Sequence, residues 1–195
     1  MPRLVDETKL FRIKRATIQL VVENGYGGAS ISAIAKRAEV AEGYLYRYYN
    51  SKQDLIKDLL FTHLKVLIEK LEHLIETCDN VSEIIENLFK RFFSIAKENP
   101  EHIKFIHVLM HDYNFQIEER QRKKIKNLCS MVLQKGKENK EIEPSKTEEE
   151  IYLITVIYPL EFINMRMKNF FNKNSCTKTD ISRLTNFCIN TLNQS

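Results

Sequence analysis

Between Glu42 and Lys52 the sequence EGYLYRYYNSK gathers groups suited to reading DNA. Arg47 can give two parallel hydrogen bonds to the edge of a guanine, and Glu42 can accept from a cytosine amino group. Tyr44, Tyr46 and Tyr48 can donate phenol O–H groups to phosphates or lay their rings on thymine methyls. Gly43 removes a side chain where a helix must come close to the bases. Lys52 brings an ammonium to the start of a further helix, where free backbone N–H groups also favour an anion.

These side chains need elements to present them. Ser30 is a natural N-cap, since its hydroxyl accepts from a backbone N–H without a helical partner. Ile31, Ile34, Ala35 and Ala38 then fall at i, i+3, i+4 and i+7, one apolar stripe on a short helix. Lys36 and Arg37 lie off that stripe. Glu39-Val40-Ala41 is long enough only for a tight turn. A second short helix follows, from about Ala41 to Tyr48, with Val40, Leu45 and Tyr49 facing inward. Ser51 caps a third helix, and Asp54 sits in its first turn, where the helix dipole favours an acid. Two short helices joined by such a turn form a helix-turn-helix, whose second helix enters the major groove while the first crosses the backbone.

The stretch from about Lys9 to Leu60 resembles the N-terminal domain of TetR-family transcriptional repressors. The resemblance is carried by Ile13 and Ala16, Gly25-Tyr26, Ser30-Ile31, Ile34-Ala35, Ala38, Val40, Gly43-x-Leu45-Tyr46-x-Tyr48-Tyr49 and Ser51-Lys52-x-x-Leu55, all in order. It implies DNA-contacting positions at Ser30, Lys36, Ala41, Glu42, Gly43, Tyr44, Tyr46, Arg47, Tyr48 and Lys52, the lysine on a phosphate. It also implies a dimer whose C-terminal half binds a small effector and thereby releases the operator. Three residues depart from the family's commonest pattern. Glu39 stands where glycine is frequent in the turn, Ala41 lacks a hydroxyl, and Glu42 places an acid at the DNA face.

The 195 residues are 43% hydrophobic and 29% charged, an ordinary globular composition. The net charge is +4, and residues 1–52 alone carry it, with nine Lys/Arg against five Asp/Glu. The basic excess therefore lies where a phosphate backbone would be. Residues 1–7 read as a flexible arm, and Arg3, Lys9 and Arg12 are further candidates for phosphate or the minor groove. Cys78, Cys129, Cys176 and Cys188 are scattered without a C-x-x-C, so free thiols in a reducing cytoplasm are expected. MPRLVDETK lacks the apolar core of a secretion signal. The run Ile151–Leu160 is far short of the ~20 residues of a membrane span.

Four of the five glycines lie in the first quarter, so long helices should dominate the remainder. The first helix should run from about Glu7 to Asn24, buried through Ile13, Ala16, Leu20 and Val21, with Gly25 ending it at positive φ. From Ser51 a helix continues to about Thr77, about 40 Å at 1.5 Å per residue. Its length suits a linker that passes an effector-driven shift to the head as a pendulum. Further helices are expected at about 82–99, 101–113, 116–137, 148–171 and 179–193, with a polar loop over 136–147. The helix at 148–171 is apolar nearly all round near its start, which predicts burial on both sides, and Pro159 should kink it.

The expected architecture is all-α: a three-helix DNA-binding head over residues 5–65, and a helical effector-binding and dimerisation body over 66–195. The last two helices carry more apolar surface than one body can cover, which suggests a homodimer through them. Phe89, Phe92, Phe93, Phe105, Met110, Tyr113, Met131, Tyr158, Phe162 and Met165 read first as core. The resemblance implies that several of them line an effector pocket. Glu161 is an acid within an apolar segment, either a salt-bridge or surface acid near the dimer edge or a counter-ion for a cationic ligand walled by Tyr158 and Phe162. His107 and His111 have metal-ligand spacing, with His102 and Asp112 nearby, but no clean third ligand, so no metal is expected. No nucleophile–base pair or glycine-rich phosphate loop emerges, so neither an enzyme nor a cofactor is expected. The functional expectation is a cytoplasmic regulator, most simply a repressor released from a near-palindromic duplex operator by a small, largely apolar effector. The alternative is a helical ligand-binding or interaction protein whose head no longer binds an operator.

Overall fold

The structure is a computed structural model and describes residues 7–194; Arg3 and the arm preceding Glu7 lie outside the described residues. Its elements, all helical among those residues, are α1 (Glu7–Gly28), α2 (Ile31–Ala38), α3 (Glu42–Leu45), α4 (Lys52–Thr77), α5 (Val81–Glu98), α6 (Pro100–Met110) and α7 (Glu119–Glu138). They continue with α8 (Glu148–Tyr152), a π-helical segment (Leu153–Ile157), α9 (Tyr158–Met167) and α10 (Lys178–Asn193). The all-α class expected from the sequence is the class found.

The chain forms two compact units. One takes the residues up to His63 together with Glu101–Ile117, and the other takes Leu64–Pro100 and the residues from Glu118 onward. In the first unit the buried side chains include Ile13, Ile18, Leu20 and Val21 of α1, Ile34, Ala35 and Ala38 of α2, and Leu45 of α3. Leu55, Ile56, Leu59 and Leu60 of α4 and Ile103, Phe105, Ile106 and Leu109 of α6 are buried as well, as are Tyr26 and Phe115. The buried hydroxyl of Thr17 donates to the Ile13 carbonyl at 2.8 Å, so its burial leaves no orphan group. Gly25 interrupts α1 at φ 73°, ψ 173°, backbone space that is open essentially to glycine alone.

In the second unit α5 buries Val81, Ile84, Ile85, Leu88, Phe89, Phe92 and Phe93, a seven-residue face with α-helical spacing. Asn80 caps it by accepting from the Glu83 N–H at 2.8 Å. Thr177 with Asp180, and Thr147 with Glu150, form capping boxes on α10 and α8.

The structure corrects three boundaries and one expectation of burial. The expected polar loop begins later, because α7 runs on through Glu138. Ile142 folds back against Gly136, where a Cβ would collide with it, and the N–H groups of Glu141 and Ile142 both donate to the Gly136 carbonyl. The stretch expected as one helix over 148–171 is instead α8, the π segment and α9, ending at Met167. Pro159 has no N–H to continue the α ladder, and the chain ahead of it widens to i→i+5 bonding. Burial on both sides is not found in the single chain: Leu153 and Met165 are exposed. Helix α6 stops at Met110, since Asp112 accepts from the N–H of Asn114 and of Phe115 and turns the chain.

Candidate nucleic-acid interface

Helix α2 begins where Ser30 accepts from the Ala33 N–H at 3.2 Å. It ends in a left-handed residue, Glu39, at φ 54°, ψ 48°, whose N–H reaches back to the Lys36 carbonyl. Glycine takes this conformation without strain; here a glutamate takes it. Two ion pairs brace the turn and helix. The Glu39 carboxylate accepts from Arg12 of α1 at 3.0 Å, and Arg37 of α2 donates to Glu23 of α1 at 2.6 Å.

Helix α3 is shorter than the expected 41–48. It has α geometry over Glu42–Leu45, starts at Ala41 without a side-chain cap, and continues as turns through Tyr48. The N–H groups of Tyr48 and Tyr49 both donate to the Leu45 carbonyl at 3.0 Å, which tightens the coil there. Gly43 and the run of ring side chains after Leu45 are poor helix formers, which accounts for the early end. Leu45 is 1% exposed and pins the segment to the core.

The opposite face is open. Ala41, Glu42, Gly43, Tyr46, Arg47 and Tyr48 are exposed, and a Cβ at Gly43 would meet nothing. Tyr44 is half-buried, with the Tyr48 ring at 5.4 Å, Arg47 at 5.7 Å and the Lys9 ammonium at 5.6 Å from its ring. Arg47 and Lys9 thus share one aromatic platform, a cation–π arrangement that orders two positive side chains beside the open ridge. Ser30 and Lys36 are exposed along α2.

Below the ridge, Tyr49 donates to Asp58 of α4 at 2.9 Å, and Lys14 of α1 lies 3.6 Å from the same carboxylate. Burial, followed by the bond to Asp58, raises the Tyr49 pKa and keeps the phenol a donor. Ser51 accepts from the Asp54 N–H at 3.0 Å and starts α4. The Lys52 ammonium is already bonded: it donates to the Tyr26 carbonyl at 2.8 Å and lies 4.4 Å from the Tyr26 ring centroid.

The residues considered for an effector pocket separate. Phe89, Phe92 and Phe105 are core, Phe105 with its ring edge-on to His63 at 6.2 Å. Met110 is half-buried, while Tyr113 and Met131 are exposed. Tyr158, Phe162 and Met165 line one cleft of about 580 Å³ with Phe171, Phe187 and Arg183. Phe93 stacks on Phe162 at 6.0 Å and also lines a groove of about 1010 Å³ with Ile163, Met167 and Ile181, flanked by Lys90, Lys97 and Lys178. Glu161 is half-buried on α9, and the His107 and His111 rings stack at 4.3 Å. The cysteines are free; burial pushes the Cys188 thiol up to about 12 and, with Glu148 nearby, Cys129 up to about 11. Both stay protonated and weakly nucleophilic.

Sequence reasoning missed the braces. Nothing local pairs Arg12 with Glu39, or brings Phe115 to Tyr26, because each contact joins segments far apart in the chain. The one readable signal was Glu39 itself, a charged residue in a turn position that favours glycine.

A family model described as bacterial regulatory proteins, tetR family, matches residues 13–59, which span most of α1 through the first turns of α4. The fatty acid metabolism regulator protein of Bacillus subtilis (strain 168) is 25% identical over 138 residues, 69% of this chain and 71% of that protein. A TetR family transcription regulator from Marinobacter aquaeolei VT8 has the same fold, with a TM-score of 0.78 over 97% of this chain and 98% of that one, at 18% identity. The regulator FadR from Bacillus subtilis, in complex with stearoyl-CoA, gives a TM-score of 0.70 over 94% and 97% of the two chains at 22% identity. The tetR family's model thus lies on the helix-turn-helix, and nearly the whole chain has the fold of these solved regulators.

Proposed function

We propose that the protein is a cytoplasmic, homodimeric repressor that leaves a near-palindromic operator when a largely apolar effector binds its second unit. The observation that carries the reading is the ridge from Ala41 to Tyr48, held by Leu45 and open on its outer face, on the part of the chain with the net positive charge. Arg47 is the base reader; Tyr46, Tyr48, Lys36 and Ser30 contact the backbone, and Glu42 biases the choice of base.

Dimerisation through the C-terminal stretch from the π segment to α10 is supported by apolar side chains that this stretch leaves in water. Phe187 is 54% exposed, and Leu153, Met165, Phe170 and Phe171 are exposed as well. Two recognition segments related by a two-fold axis would read half-sites one duplex turn apart. A long-chain acyl thioester is the effector class favoured, since the Bacillus subtilis FadR structure holds stearoyl-CoA. The apolar walls of Phe93, Ile163 and Ile181 beside Lys90, Lys97 and Lys178 suit a chain with an anionic head. The effector acts by binding the DNA-free state more tightly than the DNA-bound one.

Operator fragments titrated at rising salt test the first half of the reading. Affinity should fall steeply, as several phosphate contacts release their counterions. A salt-independent affinity would refute operator binding. Stearoyl-CoA should then release the bound fragment and CoA alone should not; release by neither removes the effector class and leaves the DNA reading intact.

A further inference from the structure

We propose that Tyr26 and Phe115 form an aromatic latch on Lys52, which makes Lys52 a positioning residue of the DNA-binding head and not a phosphate ligand. The proposal rests on the head binding DNA. Lys52 is the first residue of α4, and Tyr26 lies just past the Gly25 break in α1. The Lys52 ammonium donates to the Tyr26 carbonyl at 2.8 Å, with the Gly27 carbonyl at 3.5 Å and the Tyr26 ring centroid at 4.4 Å. Two carbonyls and a ring face therefore take up a charge that has three N–H donors. The same bonds tie the end of α1 to the start of α4, on either side of the helix-turn-helix.

The Tyr26 ring has an aromatic neighbour as well. Phe115, in the connection that follows α6, meets it edge-on at 5.3 Å and 65°, and both side chains are buried. The turn that aims Phe115 is made by Asp112, through its own carbonyl and carboxylate. Asp112 also acts on Tyr26: burial first, and this carboxylate second, raise the Tyr26 pKa and hold its hydroxyl neutral. Two residues of one short connection thus bear on one ring, and that ring bears on Lys52. The connection is covalently continuous with α7, which lies in the second unit. A shift of the 112–115 turn withdraws the Phe115 edge, frees the Tyr26 ring and loosens the tie between α1 and α4. The spacing of the recognition segment changes without any DNA contact being removed directly.

The test is a double-mutant cycle on operator affinity with Lys52→Met and Phe115→Leu, the leucine keeping an apolar side chain while deleting the ring edge. Each single variant should weaken binding roughly tenfold, the scale of a hydrogen bond to a charged group. The double variant should be no weaker than the worse single one, because both changes open the same latch. The salt slope should be the wild-type slope in all three. A slope shallower by about one phosphate in Lys52→Met would make Lys52 a phosphate ligand and overturn the proposal. So would full additivity, or Phe115→Leu leaving affinity unchanged. A second measurement needs no DNA. The ε-methylene protons of Lys52 should show an upfield ring-current shift that vanishes in Tyr26→Leu and shrinks in Phe115→Leu. Absence of that shift in the wild-type protein overturns the latch itself, whereas its presence without operator binding would refute the DNA reading alone.

Discussion

Gly25 and Arg47 show what single residues decide. At φ 73°, ψ 173° Gly25 occupies backbone space closed to other residues, although a Cβ there would touch nothing. The demand is on the backbone, so Gly25→Ala should destabilise by about 1–3 kcal/mol in urea unfolding with the salt slope of DNA binding unchanged. Arg47 is exposed and shares the Tyr44 ring with Lys9. Arg47→Ala should weaken specific binding by about 1–3 kcal/mol and relax the choice at one base position, as read by competition among duplexes changed at single pairs. Features set by near neighbours were legible in the sequence: the Ser30 and Ser51 caps and the Gly25 break each follow from a few adjacent residue types. The turn position of Glu39 was legible too, but its Arg12 partner was not, because that residue is brought in through space.

Elements were legible where apolar spacing is regular, as in α1, α4, α5 and α10. They were less legible where a local rule competes with packing. The pattern gave α3 eight residues, while the poor helix formers after Leu45 turned its second half into turns. Pro159 was read as a kink and is met by a π-helical segment. The last two helices are joined by an ion pair that no spacing announced. Arg166 of α9 donates to Asp180 of α10 at 2.7 Å, with the two side chains 12% and 9% exposed. Burial alone would raise the Asp180 pKa, but the Thr177 N–H and hydroxyl and the Arg166 guanidinium hold it below the usual carboxylate value. Asp180→Ala removes both the pair and the α10 capping box and leaves a largely buried guanidinium unpaired. It should cost about 3 kcal/mol or more in chemical unfolding and loosen the proposed dimer. In the first unit His63 of α4 packs against His102 of α6, ring centroids 4.1 Å apart. Burial, then His102 and Lys14, lower the His63 pKa from 6.5 to about 4. The unfolded chain takes up a proton near pH 6.5 that the folded chain refuses, so stability is complete above that pH and falls as pH drops toward 4. His63→Leu should flatten this part of the unfolding-midpoint profile; an equally steep profile would show that other groups set it.

For the whole molecule, the sequence carried the fold class and the DNA-binding segment because both rest on short-range patterns. It carried less of the proposed effector site. Phe89, Phe92 and Phe105 have the same residue type as Phe93 and Phe162, yet the first three are packed into core, while Phe93, itself largely buried, and Phe162 border open clefts. Composition cannot separate a core aromatic from a wall; packing across elements does. Phe187 of α10 and Phe170 and Phe171 of the connection before it are exposed, and a second copy of the chain is the partner proposed to cover them. Among the described residues no helix is long and apolar enough to cross a membrane. Sequencing the duplex fragments retained by the purified protein from a random pool tests the account most directly. It predicts one enriched near-palindrome with half-sites about one duplex turn apart, lost in Arg47→Ala. Retention without any shared sequence, or enrichment of an undivided single half-site, would contradict it.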